Sequence, residues 1–248
     1  MAAERQADGS SRRGPGAFFG LVFLLLLACA VFTALGIWQV QRLSWKLDLI
    51  DRVERRIHAA PSPAPGPAQW PSVTAESHEY RRVRVSGVFE QAKPALTQAV
   101  TDLGAGYWVL SPFRTSEGFT VLVNRGFVPS GWRGDLDGPD GETSVTGLLR
   151  ISEPKGGFLR SNDPAADRWF SRDVQAIAAA RGLKDVAPYF IDADAGGDRP
   201  GGPKGGLTVV AFHNNHLVYA LTWFSLALMA AGAGAYMMRR ELRLRRGR

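Results

Sequence analysis

The sequence predicts a membrane protein in which two transmembrane helices flank an exported α+β domain, whose sheet is mostly antiparallel or forms a small barrel. Three observations support this fold class: two apolar segments of membrane length, arginine concentrated at both ends of the chain, and short strand-like runs between the apolar segments. The chain has 248 residues, so the intervening region is long enough to bury a core of its own.

The two apolar segments are each long enough to cross a bilayer. Residues 18–38 and 217–238 contain no charged residue, and about 20 apolar residues in a helix span a hydrocarbon core of about 30 Å. We therefore expect transmembrane helices over 18–38 and 214–238. The first segment could instead be a cleaved signal peptide or a lipidation site at Cys29, but its apolar run exceeds the usual signal-peptide core of about 7–15 residues.

Arginine is concentrated at the two ends of the chain. Residues 1–17 carry three Arg against two acidic residues, residues 239–248 carry six Arg against one, and residues 39–216 are nearly balanced. Because positive residues beside membrane segments stay in the cytoplasm, we predict cytoplasmic tails at 1–17 and 239–248 and an exported central region. Nucleic-acid binding is not expected, since it needs basic residues gathered on one folded face.

The exported region is predicted to contain three parts. Residues 39–60 continue the first apolar segment as an amphipathic helix, because Gln39, Arg42 and Lys46 recur at three- and four-residue spacing. The proline-rich residues 61–71 are predicted to form a stiff linker, and residues 72–213 the α+β domain.

Period-two alternation and short apolar runs bounded by Gly, Pro and Asp predict the strands of this domain. The predicted strands cover residues 83–89, 107–113, 119–128, 144–151 and 189–192. One helix is predicted around 173–181, with Ser171 as its cap and Gly182 as its end. Gly126 is interpreted as a turn or bulge residue, and Arg125 beside it as either functional or salt-bridged.

Signatures of catalysis are scarce. The sequence has no G-x-S-x-G, H-E-x-x-H or Walker motif, and its single cysteine, Cys29, lies in the first apolar segment. We therefore expect no enzymatic activity. Delivery of cuprous ion by this chain alone is also not expected, because it needs paired soft sulfur ligands.

His216 lies where a polar run passes into the second apolar segment. An ionisable side chain that faces a helix bundle at a bilayer edge is a functional candidate, and imidazole can bind metal. Trp223 lies seven residues later, on nearly the same line of a helix. Small residues continue this face and would allow close approach to the first helix; they are Ala227, Ala230 and Gly234.

Four motifs, in this order, resemble the Surfeit locus protein 1 (SURF1) family. They are GIWQVQRLSWK at 36–46, RRVRVSGVF at 81–89, VLVNRGFVP at 121–129 and NHLVYALTWF at 215–224. One departure is Phe127, where the family often has Trp. The sequence shows no long cleavable organelle-targeting leader, which favours a bacterial member in the inner (cytoplasmic) membrane, with the central domain periplasmic.

The resemblance implies a factor that assists assembly of cytochrome c oxidase and is not an enzyme. Bacterial members are similar to proteins that bind haem a and pass it to the oxidase catalytic subunit, with haem a synthase as a further possible partner and membrane lipid around both helices. The alternative is a scaffold that stabilises an oxidase subunit without touching haem.

The family's haem-linked histidine falls at His216, as the ligand to iron, and its tryptophan at Trp223. Tyr219 could also lie against the ring, and Arg42 or Lys46 could meet the propionates or simply anchor the helix at the membrane interface. His213, about one turn earlier, is the competing ligand.

Overall fold

The computed structural model describes residues 15–90, 94–134, 136–157, 159–195, 202–208 and 214–246. The chain divides into two compact units. We call Met1–Ile50 with Phe212–Arg248 the helical unit, and Asp51–Ala211 the sheet unit. The described residues contain four α-helices: α1 (Pro15–His58), α2 (Ala75–His78), α3 (Val174–Arg181) and α4 (His216–Arg246).

Helices α1 and α4 account for the described part of the helical unit. Both are long and apolar enough to cross a membrane. The predicted segments 18–38 and 39–60 form one uninterrupted helix of 44 residues, because no proline follows Pro15 within it. Side chains that are at least partly buried recur every three or four residues along both helices, which is the spacing of one helix face.

The sheet unit is a mixed sheet that closes on itself. Its strands are β1 (Ser62–Pro63), β2 (Arg82–Phe89), β3 (Ala95–Thr101), β4 (Gly104–Thr115), β5 (Thr120–Pro129), β6 (Thr143–Ile151) and β7 (Val186–Ala193). The strand order is β1-β2-β6-β7-β5-β4-β3, and β2 also pairs with β4. Strands β2, β6, β7, β5 and β4 therefore form a five-stranded barrel, which confirms the predicted small barrel.

Most neighbouring strands are antiparallel, as predicted, but β5 and β7 are parallel, and so are β1 and β2. Alternation along the strands produces two cores. One cluster draws on all five barrel strands and fills the barrel interior, with Phe113, Val121 and Tyr189 among its buried residues. The other lies outside the barrel, where Ile177 of α3 is buried in the same cluster as Leu122 of β5.

The proline-rich segment 61–71, predicted as a linker, is instead packed on the barrel. Ser62 and Pro63 pair with β2, and Ala64 is buried in the interior core. The Tyr189 hydroxyl donates a hydrogen bond to the Pro65 carbonyl at 2.7 Å. Prolines lack the N–H group but keep their carbonyls, so a proline-rich segment can still lie along a strand and accept hydrogen bonds.

Helix α3 begins and ends where the sequence predicts, but its cap differs. The carboxylate of Asp173 accepts the Ala176 N–H at 3.1 Å, which makes Asp173 the N-cap in place of Ser171. The Ser171 hydroxyl instead accepts the Gly156 N–H at 3.0 Å. Gly182 ends the helix with φ of 64°, in the left-handed region.

Candidate functional site

His216 is the first residue of α4, so its imidazole lies at the end of a membrane-length helix. The Asn214 side-chain oxygen accepts the His216 N–H at 3.3 Å, and the Asn215 carbonyl accepts the Tyr219 N–H at 3.2 Å. These two bonds start the helix at this residue. The polar run before the apolar segment therefore fixes where the histidine is placed.

Gln39 of α1 orients this imidazole. Its side-chain oxygen lies 2.8 Å from Nδ1 of His216. An amide oxygen only accepts, so Nδ1 carries the proton and Nε2 of the neutral ring bears the lone pair. Gln39 is only 8% exposed, and the same hydrogen bond satisfies its buried amide oxygen. Within the described ranges, Nε2 of His216 has no hydrogen-bond partner.

A second contact between the helices lies seven residues further along each. The rings of Phe32 and Trp223 stack with centroids 5.7 Å apart and an interplanar angle of 26°. Position 32 thus faces 223, and 39 faces 216, so α1 and α4 are antiparallel and meet in a heptad-like register. The predicted alignment of His216 with Trp223 is present, but one face of the indole is covered by Phe32.

Small residues lie between these two contacts. Gly36 is buried, and Ala220 is 2% exposed. A Cβ added at Gly36 would lie 2.6 Å from a ring carbon of Phe224. Further along α4, Ala227 is also buried at 7% exposure. The small-residue face of α4 is therefore the packed face, and it permits the close helix approach that the sequence suggested.

The remaining predicted site residues occupy different surroundings. Tyr219 is 53% exposed, one turn beyond His216. Lys46 follows Gln39 by seven residues, so it is rotated from Gln39 by only about 20° around the axis of α1. Arg42 is rotated from Gln39 by about 60°. The Arg42 guanidinium is 5.5 Å from the Trp38 ring centroid and 5.9 Å from that of Trp45. His213, the competing ligand, lies outside the described residues.

Gln39 is the site residue that sequence reasoning did not single out. A signal was present, because Gln39 lies seven residues from Phe32 and from Lys46 on one helix face. A glutamine on the packed face of a membrane-length helix needs a partner, and His216 was the polar candidate on the other helix.

The imidazole of His216 could bind the iron of a haem, because the cofactor would supply the other ligands of that iron. Among the described residues there is no group of three or more His, Cys, Asp or Glu that could hold a bare metal ion. A single imidazole with one nitrogen held by a hydrogen bond is instead the usual form of an axial histidine.

In the sheet unit, the Asn124-Arg125-Gly126 motif forms a bulge in β5. Trp108 of β4 pairs with Phe127 of β5, and Leu110 pairs with Asn124. One residue separates the two pairs on β4 and two residues separate them on β5, so β5 contains one extra residue here. Gly126 has φ of 127°, and a Cβ on it would lie 2.1 Å from the Lys204 carbonyl oxygen. The bulge interpretation is confirmed, and its glycine makes room for residues 202–208.

Arg125 and Asn124 make contacts within the barrel beside this bulge. The Arg125 guanidinium donates to the Leu136 carbonyl at 2.5 Å and lies 5.4 Å from the Phe89 ring centroid. Asn124 is buried and donates to Asp192 at 2.8 Å, while its own side-chain oxygen accepts the Gly126 N–H. These contacts give the motif a structural role in the barrel.

Asp192 is the centre of a buried ionic network that the sequence did not predict. Its carboxylate, 2% exposed, lies 2.9 Å from Arg150 and 3.4 Å from Arg172. Thr208 also donates to it at 2.9 Å. Burial by itself would lower the pKa of Arg150, but Asp192 and Glu79 outweigh it and hold that pKa above its usual value. The network joins β6, β7 and residues 202–208.

Comparison with known proteins gives consistent matches. The sequence profile of the SURF1 family matches residues 26–228. Mouse Surfeit locus protein 1 is 37% identical over 227 residues, which cover 82% of this chain and 71% of the mouse protein. The human protein of the same name is 34% identical, with 89% and 78% covered. A SURF1-like protein of Monosiga brevicollis is 31% identical, with 97% and 94% covered.

Proposed function

Because the chain belongs to the SURF1 family, we propose that it is a membrane-bound assembly factor for cytochrome c oxidase. Its cargo in this proposal is haem a, which it holds for insertion into the oxidase catalytic subunit. The chain itself performs no turnover. Haem a synthase is the proposed donor of the cargo, and the oxidase catalytic subunit is its acceptor.

The observation that supports this function best is the hydrogen bond between Gln39 and His216, at 2.8 Å. It holds the imidazole in the tautomer whose Nε2 can donate to iron, before any ligand arrives. An acceptor bonded to the other ring nitrogen also raises the basicity of a histidine ligand. Nε2 of His216 would hold the iron of haem a when the cofactor is bound.

A carrier must release its cargo, and one protein ligand suits that requirement. An acceptor subunit with two strong axial ligands binds the haem more tightly, so the equilibrium favours transfer. His216 would provide the single bond on this chain. Gln39 is only 8% exposed, so the Gln39 side of the imidazole is shielded from water.

The other predicted residues keep supporting roles in this proposal. Tyr219 is exposed and one turn from His216, so it is the aromatic side chain offered to the ring. Trp223 supports the site through its stacking on Phe32. Lys46 lies on the same side of α1 as Gln39, and we propose it as the main contact for the haem propionates. Arg42, on the adjacent side of the helix, is the second proposed contact.

The test is co-purification. The full chain, expressed with the haem a biosynthetic enzymes and purified in detergent, should show haem a absorption in its reduced spectrum. His216→Ala should lose it, whereas His58→Ala, at an exposed histidine of the same protein, should retain it. Unchanged absorption in His216→Ala, with loss in His213→Ala, would move the ligand to His213.

A scaffold without haem is the second candidate, and one observation favours it. The Phe32–Trp223 stack and the Gly36–Phe224 contact fill the space between α1 and α4. If the purified chain brings down the oxidase catalytic subunit but no haem a, and His216→Ala brings down as much subunit, the scaffold is the correct function.

We further propose a bacterial inner-membrane location, with both helices spanning, both termini cytoplasmic and the sheet unit periplasmic. The arginine distribution supports this orientation through the positive-inside rule. Alkaline phosphatase, which is active only outside the cytoplasm, should be active when fused after residue 130 and inactive when fused after residue 246. The reverse result would invert the proposed orientation.

A further inference from the structure

Four cationic or ionisable side chains converge at one edge of the sheet unit. Arg52 and Arg56 lie one turn apart near the end of α1, in the part of that helix that belongs to the sheet unit. His78 is the last residue of α2, and Arg81 follows just before β2. All four side chains are partly buried. We call them the arginine cluster.

Hydrogen bonds hold the two parts of the cluster together. The Arg56 guanidinium donates to the Glu76 carbonyl at 2.6 Å and to the Glu79 carbonyl at 3.1 Å. The Arg81 N–H donates to the His78 carbonyl at 3.1 Å. The end of α1 is thereby tied to the turn that carries His78 and Arg81, so their close approach is part of the fold.

The cluster carries more positive than negative charge, because Glu76 is the one carboxylate whose charge acts on Arg56 among the described residues. Within the part of the chain that the structure describes, no carboxylate lies within 4 Å of the Arg52, Arg56 or Arg81 guanidinium groups. Three acidic residues nearby in sequence contact other partners: Asp51 pairs with Arg55 at 2.9 Å, Glu54 with His58 at 3.4 Å and Glu79 with Arg150 at 2.9 Å.

The proximity of these positively charged groups is unfavourable in the free protein. Burial lowers the pKa of Arg56, the charges of Arg52 and Arg81 lower it further, and the charge of Glu76 offsets only part of this. Burial likewise lowers the pKa of His78, together with Arg81 and Arg56. The negative end of a helix dipole can stabilise Arg56 in the last turn of α1, but it does not explain why Arg81 is brought to the same place.

We propose that the arginine cluster binds a phosphate group. Three guanidinium groups offer forked N–H donors suited to a tetrahedral oxyanion, and a phosphate carries enough charge to offset their repulsion. His78 adds a fourth group to the site. Its Nδ1 is hydrogen-bonded to the Ser77 hydroxyl at 2.7 Å, so Nε2 is the ring nitrogen proposed to contact the phosphate. The phosphate could be free in solution or belong to a phospholipid headgroup.

The first experiment uses inorganic phosphate and the full chain in a neutral detergent. Thermal unfolding is followed with phosphate and with chloride at the same ionic strength. Phosphate should raise the unfolding temperature of the wild type by about 3 °C at saturation, and chloride should not. An equal rise with both salts would overturn the proposal, because simple screening would explain it.

The informative variant is Arg81→Gln, because the Arg81 side chain makes no hydrogen bond within the described ranges, whereas Arg56 makes two. Without phosphate its unfolding temperature should equal or exceed that of the wild type, since a repulsive charge is removed. The rise with phosphate should disappear. Arg84→Gln, at an exposed arginine of β2, should keep the full rise. A full rise in Arg81→Gln would contradict the site.

A second arm distinguishes the source of the phosphate. The chain is placed in nanodiscs of phosphatidylcholine with or without phosphatidylglycerol, and inorganic phosphate is then added. If the anionic headgroup occupies the cluster, phosphatidylglycerol should abolish the rise with phosphate in the wild type. If the rise persists unchanged in both nanodiscs, the ligand is a soluble phosphate.

Discussion

The side-chain oxygen of Gln39 accepts a hydrogen bond from Nδ1 of His216 over 2.8 Å, and so joins the two membrane-length helices at one histidine. The bond fixes the ring tautomer and leaves Nε2 as the nitrogen with a lone pair. Because Gln39 is buried on α1 and His216 begins α4, the orientation of the imidazole depends on how the two helices pack.

Gln39→Leu should weaken haem a retention by about 10- to 100-fold, the usual cost of losing the hydrogen-bond partner of a metal-bound histidine. The protein should still fold, because leucine suits a packed helix face. Haem a per protein after dilution and gel filtration measures the effect. Gln41→Leu, at an exposed glutamine of the same helix, is the control and should retain haem. Equal retention in both variants would remove Gln39 from the site.

Gly36→Ala should destabilise the protein, whereas Gly20→Ala should not. Alanine favours a helix over glycine by about 1 kcal/mol, so Gly20→Ala, with nothing within 4 Å of its new Cβ, should be neutral or stabilising. At Gly36 the Cβ meets the Phe224 ring at 2.6 Å, so either this ring or the helix that carries it must shift. Thermal unfolding in detergent should show the difference, and haem retention should fall only for Gly36→Ala.

Gly126→Ala should destabilise the sheet unit by more than about 3 kcal/mol, because a positive φ and a backbone clash act together. Gly118→Ala is the matched control. Gly118 also has a positive φ, 92°, but nothing lies within 4 Å of an added Cβ. The control should therefore lose less, about 1–2 kcal/mol, from the positive φ alone. If chemical denaturation shows similar losses in free energy of unfolding for both variants, the contact of residues 202–208 with β5 does not depend on glycine at position 126.

Asp192→Ala should cost about 3–5 kcal/mol, since it leaves Arg150 and Arg172 with one fewer buried counter-charge. Asp51→Ala breaks an exposed pair with Arg55 and should cost about 0.5 kcal/mol or less. The free energy of unfolding of the full chain in detergent measures both. A small loss for Asp192→Ala would show that water can replace the network.

His78 should make the folded chain less stable in acid. Its pKa is lowered by burial and by Arg81 and Arg56, so the unfolded chain binds this proton more readily. Stability from this residue is therefore present above the unfolded value of about 6.5 and is lost as pH falls from there through the lower folded pKa. His78→Gln should flatten the fall of unfolding temperature below that pH. An unchanged profile would contradict this assignment.

Much of the fold could be predicted because local patterns agreed with the final packing. The five predicted strands all occur, since their apolar positions alternate between a buried core and the other face. β3 was not predicted, because Ala95–Thr101 mixes alanine, threonine and glutamine without a clear apolar alternation. The packing of residues 61–71 also escaped prediction, since it depends on the distant Tyr189 and β2.

The site could be predicted only in part. His216 and Trp223 were visible as one helix face, because their spacing is a property of a single helix. Their partners Gln39 and Phe32 depend on the register between two helices, which one sequence does not encode locally. The same limit applies to Asp192, whose partners come from several separate elements.

The most direct test of the proposed function is ligand replacement at His216. His216→Gly, purified in detergent and then mixed with haem a, should lack the axial histidine signature in its resonance Raman and absorption spectra, and added imidazole should restore it. The wild type should not respond to imidazole in that way. If His216→Gly keeps the wild-type spectrum without imidazole, then His216 is not the ligand and the proposed site is contradicted.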